Sequence, residues 1–296
     1  MSSVTPQPTE SRSRRARVVL GATFLSLVVL GIGSIVASRE GPRRCSDGFI
    51  AVGGRCCGEG QTLDRGRCVG KPTRCGGSLV REDGGCSAPM TKVSIAGGTL
   101  RVTASDWEAD GRTAPREVMV PAFRIDAYEI SWSRYGACST SGKCLPLQKE
   151  GEPGQPVTRI TAFEAARFCA FADGSLPSND QLLFAAAGPV ARRFPWGPNG
   201  AVCGRAAWGV AEGPCFSGST EPDVTGSHPA GRSKEGVEDL AGNVAEWTRP
   251  RPDGLSETRG GSWRDQEATA LKTWASRLIP SDSRRDDLGF RCVYPP

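Results

Sequence analysis

Residues 161–188 read TAFEAARFCAFADGSLPSNDQLLFAAAG. Thr161 and Glu164 form a capping box, the pattern that starts a helix by exchanging side-chain and backbone hydrogen bonds. Ala165, Phe168, Cys169 and Ala172 recur at i, i+3, i+4 and i+7, which makes one apolar face and turns Cys169 inward. Ser178 and Gln181 repeat the capping box, and Gly188 supplies a stop. The stretch predicts two short helices, over 161–173 and 178–188. Glu164 is explained by capping and needs no chemical role.

Upstream, KVSIAGGTLRVTAS (92–105) and REVMVPAFRIDAYEIS (116–131) are rich in β-branched and aromatic residues and predict strands. Downstream, RFPWGPNG (193–200) opens a long run of Gly, Pro and polar residues with few regular elements. Ordered loops of that length usually have functional or metal-based support. Gly 38 and Pro 22 agree with a loop-rich fold rather than long helices.

The chain has 296 residues, a net charge of +5 and a single histidine, His228. Acids are interspersed with the bases, so the charge describes no nucleic-acid surface. One histidine excludes multi-His zinc and iron centres, and a His-based triad could rest only on His228. His228 lies in the loop TGSHPAG and is expected to be exposed and inert. The 12 cysteines all follow residue 44, which points to disulfides and an oxidising compartment for the C-terminal part.

The N-terminal segment supports export. Arg12, Arg14, Arg15 and Arg17 precede an uncharged run from Val18 to Ser38. As a helix that run reaches about 30 Å, enough to cross the hydrocarbon core. The expectation is a cytoplasmic arm (1–17), an uncleaved transmembrane signal anchor (18–38) and an extracytoplasmic remainder, periplasmic or cell-surface. Cleavage after Val36-Ala37-Ser38 is the alternative.

Residues 39–90 hold three segments of the form Cys, ten residues, Cys: 45–56, 57–68 and 75–86. Gly54, Gly66 and Gly85 occupy the same place in each, where a turn needs φ > 0. So small a module, poor in large apolar side chains, requires disulfides to hold it. Six cysteines allow 15 connectivities, which the spacing leaves open. A rigid stalk is the expected role, with a recognition module as the alternative.

The main domain, 91–296, resembles the formylglycine-generating enzyme (sulfatase-modifying factor) family. The matching pieces are FRIDAYEISWSRYGAC, PVTRITAFEAARFCAFADGSLPS, FPWG, GVEDLAGNVAEW, RGGSW and DDLGFRCV, in the family's order. The resemblance implies a loop-rich, disulfide-stabilised α+β fold related to C-type lectins. It also implies a bridge between Cys169 and Cys292, which leaves Cys138 with Cys144 and Cys203 with Cys215. Catalytic members use a copper-binding cysteine pair and oxygen to convert a cysteine in a Cys-x-Pro-x-Arg sulfatase motif to formylglycine.

In TRGGSWRDQE (258–267) the first copper-ligating cysteine of the family is replaced by Asp265, and the second by Ala270. A carboxylate and a methyl group cannot make a soft copper(I) site. The tryptophan of the family's GNVWEW is Ala245, and RLPTEAEWE has become SLPSNDQLL. A related branch holds non-haem iron with several histidines, which one histidine cannot supply. Ser262, Trp263, Arg264 and Asp265 remain as a candidate ligand groove, with Trp263 as its aromatic wall. DLAGNVAEW (239–247) resembles a calcium loop of the family, with carboxylates from Asp239 and Glu246 and carbonyls from Gly242 and Val244, in a structural role. A second calcium site is degraded, because Ala206 stands where an Asn ligand is expected. The expected function is a non-catalytic envelope protein that binds a peptide, protein or glycan. The alternatives are an active formylglycine-generating oxidase that uses Cys203 or Cys215, or different chemistry at Asp265 beside Ser262.

Overall fold

The computed structural model describes residues 45, 48–53, 55–65, 67–76, 79–82, 85–102, 116–148 and 151–296. The expected cytoplasmic arm and transmembrane anchor lie outside the described residues. Among the described residues no helix is long and apolar enough to cross a membrane.

Each Cys-x10-Cys segment closes on itself: Cys45–Cys56, Cys57–Cys68 and Cys75–Cys86. The physical reason is local. Three antiparallel hairpins form, β1 (Phe49–Val52) with β2 (Arg55–Gly58), β3 (Thr62–Asp64) with β4 (Arg67–Val69), and β5 (Val80–Glu82) with β6 (Gly85–Ser87). Gly85 has φ +143°, as its place in the repeat predicts. The third hairpin is seated on the main domain rather than standing off it as a stalk. A Cβ on Gly154 would lie 2.1 Å from the Cys86 carbonyl oxygen, and one on Gly226 would press on Tyr128 and Leu79.

The main domain carries two sheets and a separate hairpin. Strand β10 (Phe123–Asp126) pairs antiparallel with β7 (Lys92–Ile95) and β15 (Val293–Tyr294), so the domain's first and last strands flank β10 on either side. The four-stranded sheet has the order β13 (Ser276–Pro280), β12 (Leu255–Arg259), β11 (Ala245–Trp247), β14 (Leu288–Gly289). Strands β8 (Gly98–Val102) and β9 (Arg116–Val120) form the hairpin.

Helix α1 (Trp132–Thr140) starts at Ser131, whose hydroxyl accepts from the Arg134 N–H. It ends a stretch that reads as strand, because the β-rich run stops at Asp126. Helices α2 (Ala162–Phe171) and α3 (Asn179–Ala187) form where the capping boxes place them, with both reciprocal bonds made at each start. One core layer joins α3 to β8, β9 and β10. A second joins α1 and α2 to Trp247, Leu288 and Phe290.

Three pairings fix the domain: Cys138–Cys144, Cys169–Cys292 and Cys203–Cys215, as the resemblance implies. Cys169 on α2 and Cys292 beside β15 are both fully buried.

Candidate functional site

Strand β12 runs into Gly260 and Gly261, with φ of +95° and +66°. A Cβ on Gly261 would stand 2.7 Å from the Ala270 carbonyl oxygen, so only glycine lets the two loop segments meet. The turn that follows is tied by Asp265. Its Oδ2 accepts from the Ser262 N–H at 2.8 Å and from the Ser262 hydroxyl at 3.0 Å. Arg277, on β13, closes on its other oxygen as an ion pair.

Asp265, Ala270 and Ala245 line one crevice of about 250 Å³, together with Thr258, Gln266 and Arg277. The fold therefore brings together the three positions at which the resemblance places the family's two cysteines and its tryptophan. Arg277 was not legible in the sequence, because only the β12–β13 register places it opposite Thr258.

The four expected groove residues divide. Asp265 faces the crevice, while Ser262 is fully buried beneath it. Trp263 is not the groove's aromatic wall. It is 1% exposed and packs on Ala207, Val210 and Val244, with its indole N–H donating to the Asp286 carbonyl. The turn that aims Asp265 at the crevice sends the next-but-one side chain into the core. Arg264 lies 4.2 Å over the Trp263 ring and pairs with Asp286, a solvated cover rather than a ligand contact.

Beneath the loop 239–247 lies a buried charge centre. Glu129 accepts from the Asn243 side chain at 2.7 Å and from the Val244 N–H at 3.2 Å. Asp239, at φ +54°, accepts from the Gly226 N–H. Glu246 receives Nε and Nη2 of the fully buried Arg291 at 2.7–3.0 Å. Burial raises the pKa of all three carboxylates; nearby acids add to it, Asp239 at both Glu129 and Glu246, and Asp223 at Asp239, while Arg291 opposes the shift, behind His228 at Asp239. Neighbouring Glu238 is pushed up to about 7, by burial first and then by Asp239. The sequence marks Glu129 only as an acid inside the apolar run FRIDAYEIS.

The calcium expectation at Asp239, Gly242, Val244 and Glu246 does not fit this geometry. Calcium takes 6–8 oxygens that converge on the ion. Here Glu246 gives both oxygens to Arg291, and Glu129 gives both to donors of the loop itself. A guanidinium already supplies positive charge at the centre. Excess EDTA should therefore leave the thermal midpoint unchanged. A bound ion at about 100-fold over its Kd would add roughly 2.7 kcal/mol. A fall in Tm of about 5 °C or more on chelation would contradict the account.

His228, expected to be exposed and inert, is 6% exposed, with Nε2 3.0 Å from Asp223 Oδ2. All twelve cysteines pair as disulfides, and no free thiol remains. Cys203 and Cys215 bridge each other, so neither can serve as a copper ligand in an alternative oxidase site.

Residues 82–295 match the family model described as Sulfatase-modifying factor enzyme 1-like domain. The chain belongs to this family. The match begins inside the third hairpin, earlier than the boundary expected at 91, in keeping with that hairpin's seat on the domain. Among curated proteins, the chain is similar to the inactive C-alpha-formylglycine-generating enzyme 2 of Mus musculus, 30% identical over 152 residues, which cover 47% of this chain and 48% of that one. It is also similar to the hercynine oxygenase of Mycolicibacterium smegmatis, 38% identical over 109 residues, which cover 34% of this chain and 24% of the relative. The chain thus spans about a quarter to a half of the length of these relatives. Among solved structures, PvdO from Pseudomonas aeruginosa superposes with a TM-score of 0.57 at 18% identity, covering 69% of this chain and 94% of that one. CarF superposes with a TM-score of 0.51 at 19% identity, covering 70% and 99%. These likenesses establish the sulfatase-modifying-factor fold.

Proposed function

We propose that this chain is a non-catalytic member of the family that uses the crevice beside Asp265 to hold a peptide, protein or glycan partner in the cell envelope, anchored by its N-terminal apolar run. One observation carries the reading. Asp265 and Ala270, which line the crevice, stand where the resemblance places the two thiols, and every cysteine of the chain is in a disulfide. A carboxylate pinned by Ser262 and Arg277 is a fixed hydrogen-bonding feature, suited to recognition. The similarity to relatives named inactive formylglycine-generating enzyme 2 supports the same direction.

The disulfides and the single histidine count against the two oxidative alternatives, copper through thiols and iron through histidines. Chemistry of another kind at Asp265 would need a nucleophile and an oxyanion site. The nearest hydroxyl, Ser262, is fully buried and donates to Asp265 itself.

The test is gain of function. The double variant D265C/A270C should acquire one tightly bound copper(I) in competition with a chromogenic chelator, while the unaltered chain binds none at the groove. If the double variant folds and still gains no copper(I), the crevice is not the family's former metal site and the reading fails.

A further inference from the structure

A second cavity, of about 650 Å³, is lined by the loops 203–217 and 223–230 and by Cys45, and it shares no lining residue with the crevice at Asp265. Its size is within the roughly 300–1,000 Å³ of small-molecule sites. The walls are largely apolar, from Ala206, Val210, Pro214 and Phe216, and the Cys203–Cys215 bridge holds one loop closed. Ala206 is the position at which the resemblance places a lost calcium ligand, so a small side chain stands there in place of an ion-binding one. Phe216 is 56% exposed at the mouth, a large apolar ring left uncovered by the chain itself.

The polar side of the wall is His228, with Asp223, Ser217 and Ser227. His228 lines the cavity while 6% exposed, and Asp223 accepts from its Nε2–H. That bond fixes the ring, so Nδ1 is the free position. Among the described residues Nδ1 has no protein partner, and it is not one of the sealed, unpartnered atoms. Nδ1 is thus fixed by the Asp223 bond, is bonded to no protein group among the described residues and is not sealed off, so a ligand in the cavity can take the place of the water it would otherwise meet.

We propose that this cavity binds an uncharged small molecule with an apolar body and a single hydroxyl head, the hydroxyl meeting His228 Nδ1. A hydroxyl both donates and accepts, so it pairs with Nδ1 whether the ring is neutral or protonated. The surroundings disfavour an anion. The Asp223 carboxylate lines the same cavity, and against the effect of its burial the His228 pKa is raised by Asp223, Asp239 and Glu238. The site is independent of the partner groove, and either can fail without the other.

The chain's single histidine makes the test direct. The full chain is titrated with 4-butylphenol while the ring ¹H–¹⁵N resonances of His228 are followed. A saturable shift is expected, with 4-butylbenzoate, of the same body but anionic head, at least about tenfold weaker, the factor that 1.4 kcal/mol represents. Ala230 lines the mouth and is exposed, so A230W should narrow the entrance without disturbing the core and weaken binding by a similar factor. The unliganded His228 resonances report whether A230W keeps the fold. No shift with 4-butylphenol, an equal response to 4-butylbenzoate, or full binding in folded A230W would each overturn the assignment.

Discussion

Arg291→Met is expected to destabilise the domain by about 3–5 kcal/mol, the usual result of removing one partner from a buried ion pair. The reason lies in what one guanidinium holds. Nη1 donates to the Asp126 and Ala127 carbonyls at 3.1 Å, and Nη2 to the Glu238 carbonyl and Glu246 at 2.7 Å. Nε completes the contact with Glu246. The end of β10, the loop before Asp239 and strand β11 therefore meet on one side chain. Methionine fills the volume but takes this donor from the Asp126 and Glu238 carbonyls and from the Glu246 carboxylate, each with its own desolvation cost, while the Ala127 carbonyl keeps the Glu238 N–H at 2.8 Å. Lysine keeps the charge and loses the planar fork, so R291K should recover only part of the loss. The double variant R291M/E246L removes both charges and should be less damaged than R291M alone. Urea unfolding of the four proteins checks this. An R291M loss below about 1 kcal/mol would show that the centre is held by something else.

The second large effect is at the bridge that closes the domain. Cys169 and Cys292 are 123 residues apart in sequence, so their disulfide constrains most of the main domain in the unfolded state. A chain-entropy estimate for a loop near that length is about 4.7 kcal/mol. Both sulfurs are fully buried between α2 and the strand beside β15, so C169A/C292A also loses packing. The expected loss is about 4–6 kcal/mol, against a domain stability of roughly 5–15 kcal/mol. The internal control is C203A/C215A, which opens a loop of sequence separation 12 with Cys203 at the surface. It should cost about 2 kcal/mol less by the logarithm of loop length. Equal losses in urea unfolding would mean that the Cys169–Cys292 bridge does not set the closure of the domain.

Much of the fold is legible where the determinants are local. Thr161–Glu164 and Ser178–Gln181 each satisfy their own helix start, so α2 and α3 follow from a few neighbouring residues. The start of α1 at Ser131 was hidden because FRIDAYEIS continues the strand composition past the point where β10 ends. The hairpins of the Cys-rich module were beyond reach, since spacing alone does not choose among 15 connectivities. In the site, the substitutions at Asp265, Ala270 and Ala245 were readable because they stand inside fixed motifs. The burial of Trp263 was not, because it depends on Ala207, Val210 and Val244 arriving from other loops. Nor was the role of Arg291. The sequence shows an arginine in DDLGFRCV, whereas the three backbone segments it gathers are set by tertiary packing.

The most direct measurement is turnover. The full chain, supplied with copper(I), oxygen and a peptide carrying Cys-x-Pro-x-Arg, is followed by mass spectrometry for conversion of the peptide cysteine to the aldehyde, with a catalytic family member run alongside. No aldehyde is expected from this chain while the relative converts its peptide, because Asp265 and Ala270 offer no thiol and every cysteine is bridged. Aldehyde formation at a rate that scales with this chain's concentration would contradict the account, since it would require a reactive thiol where the structure has a disulfide or a carboxylate.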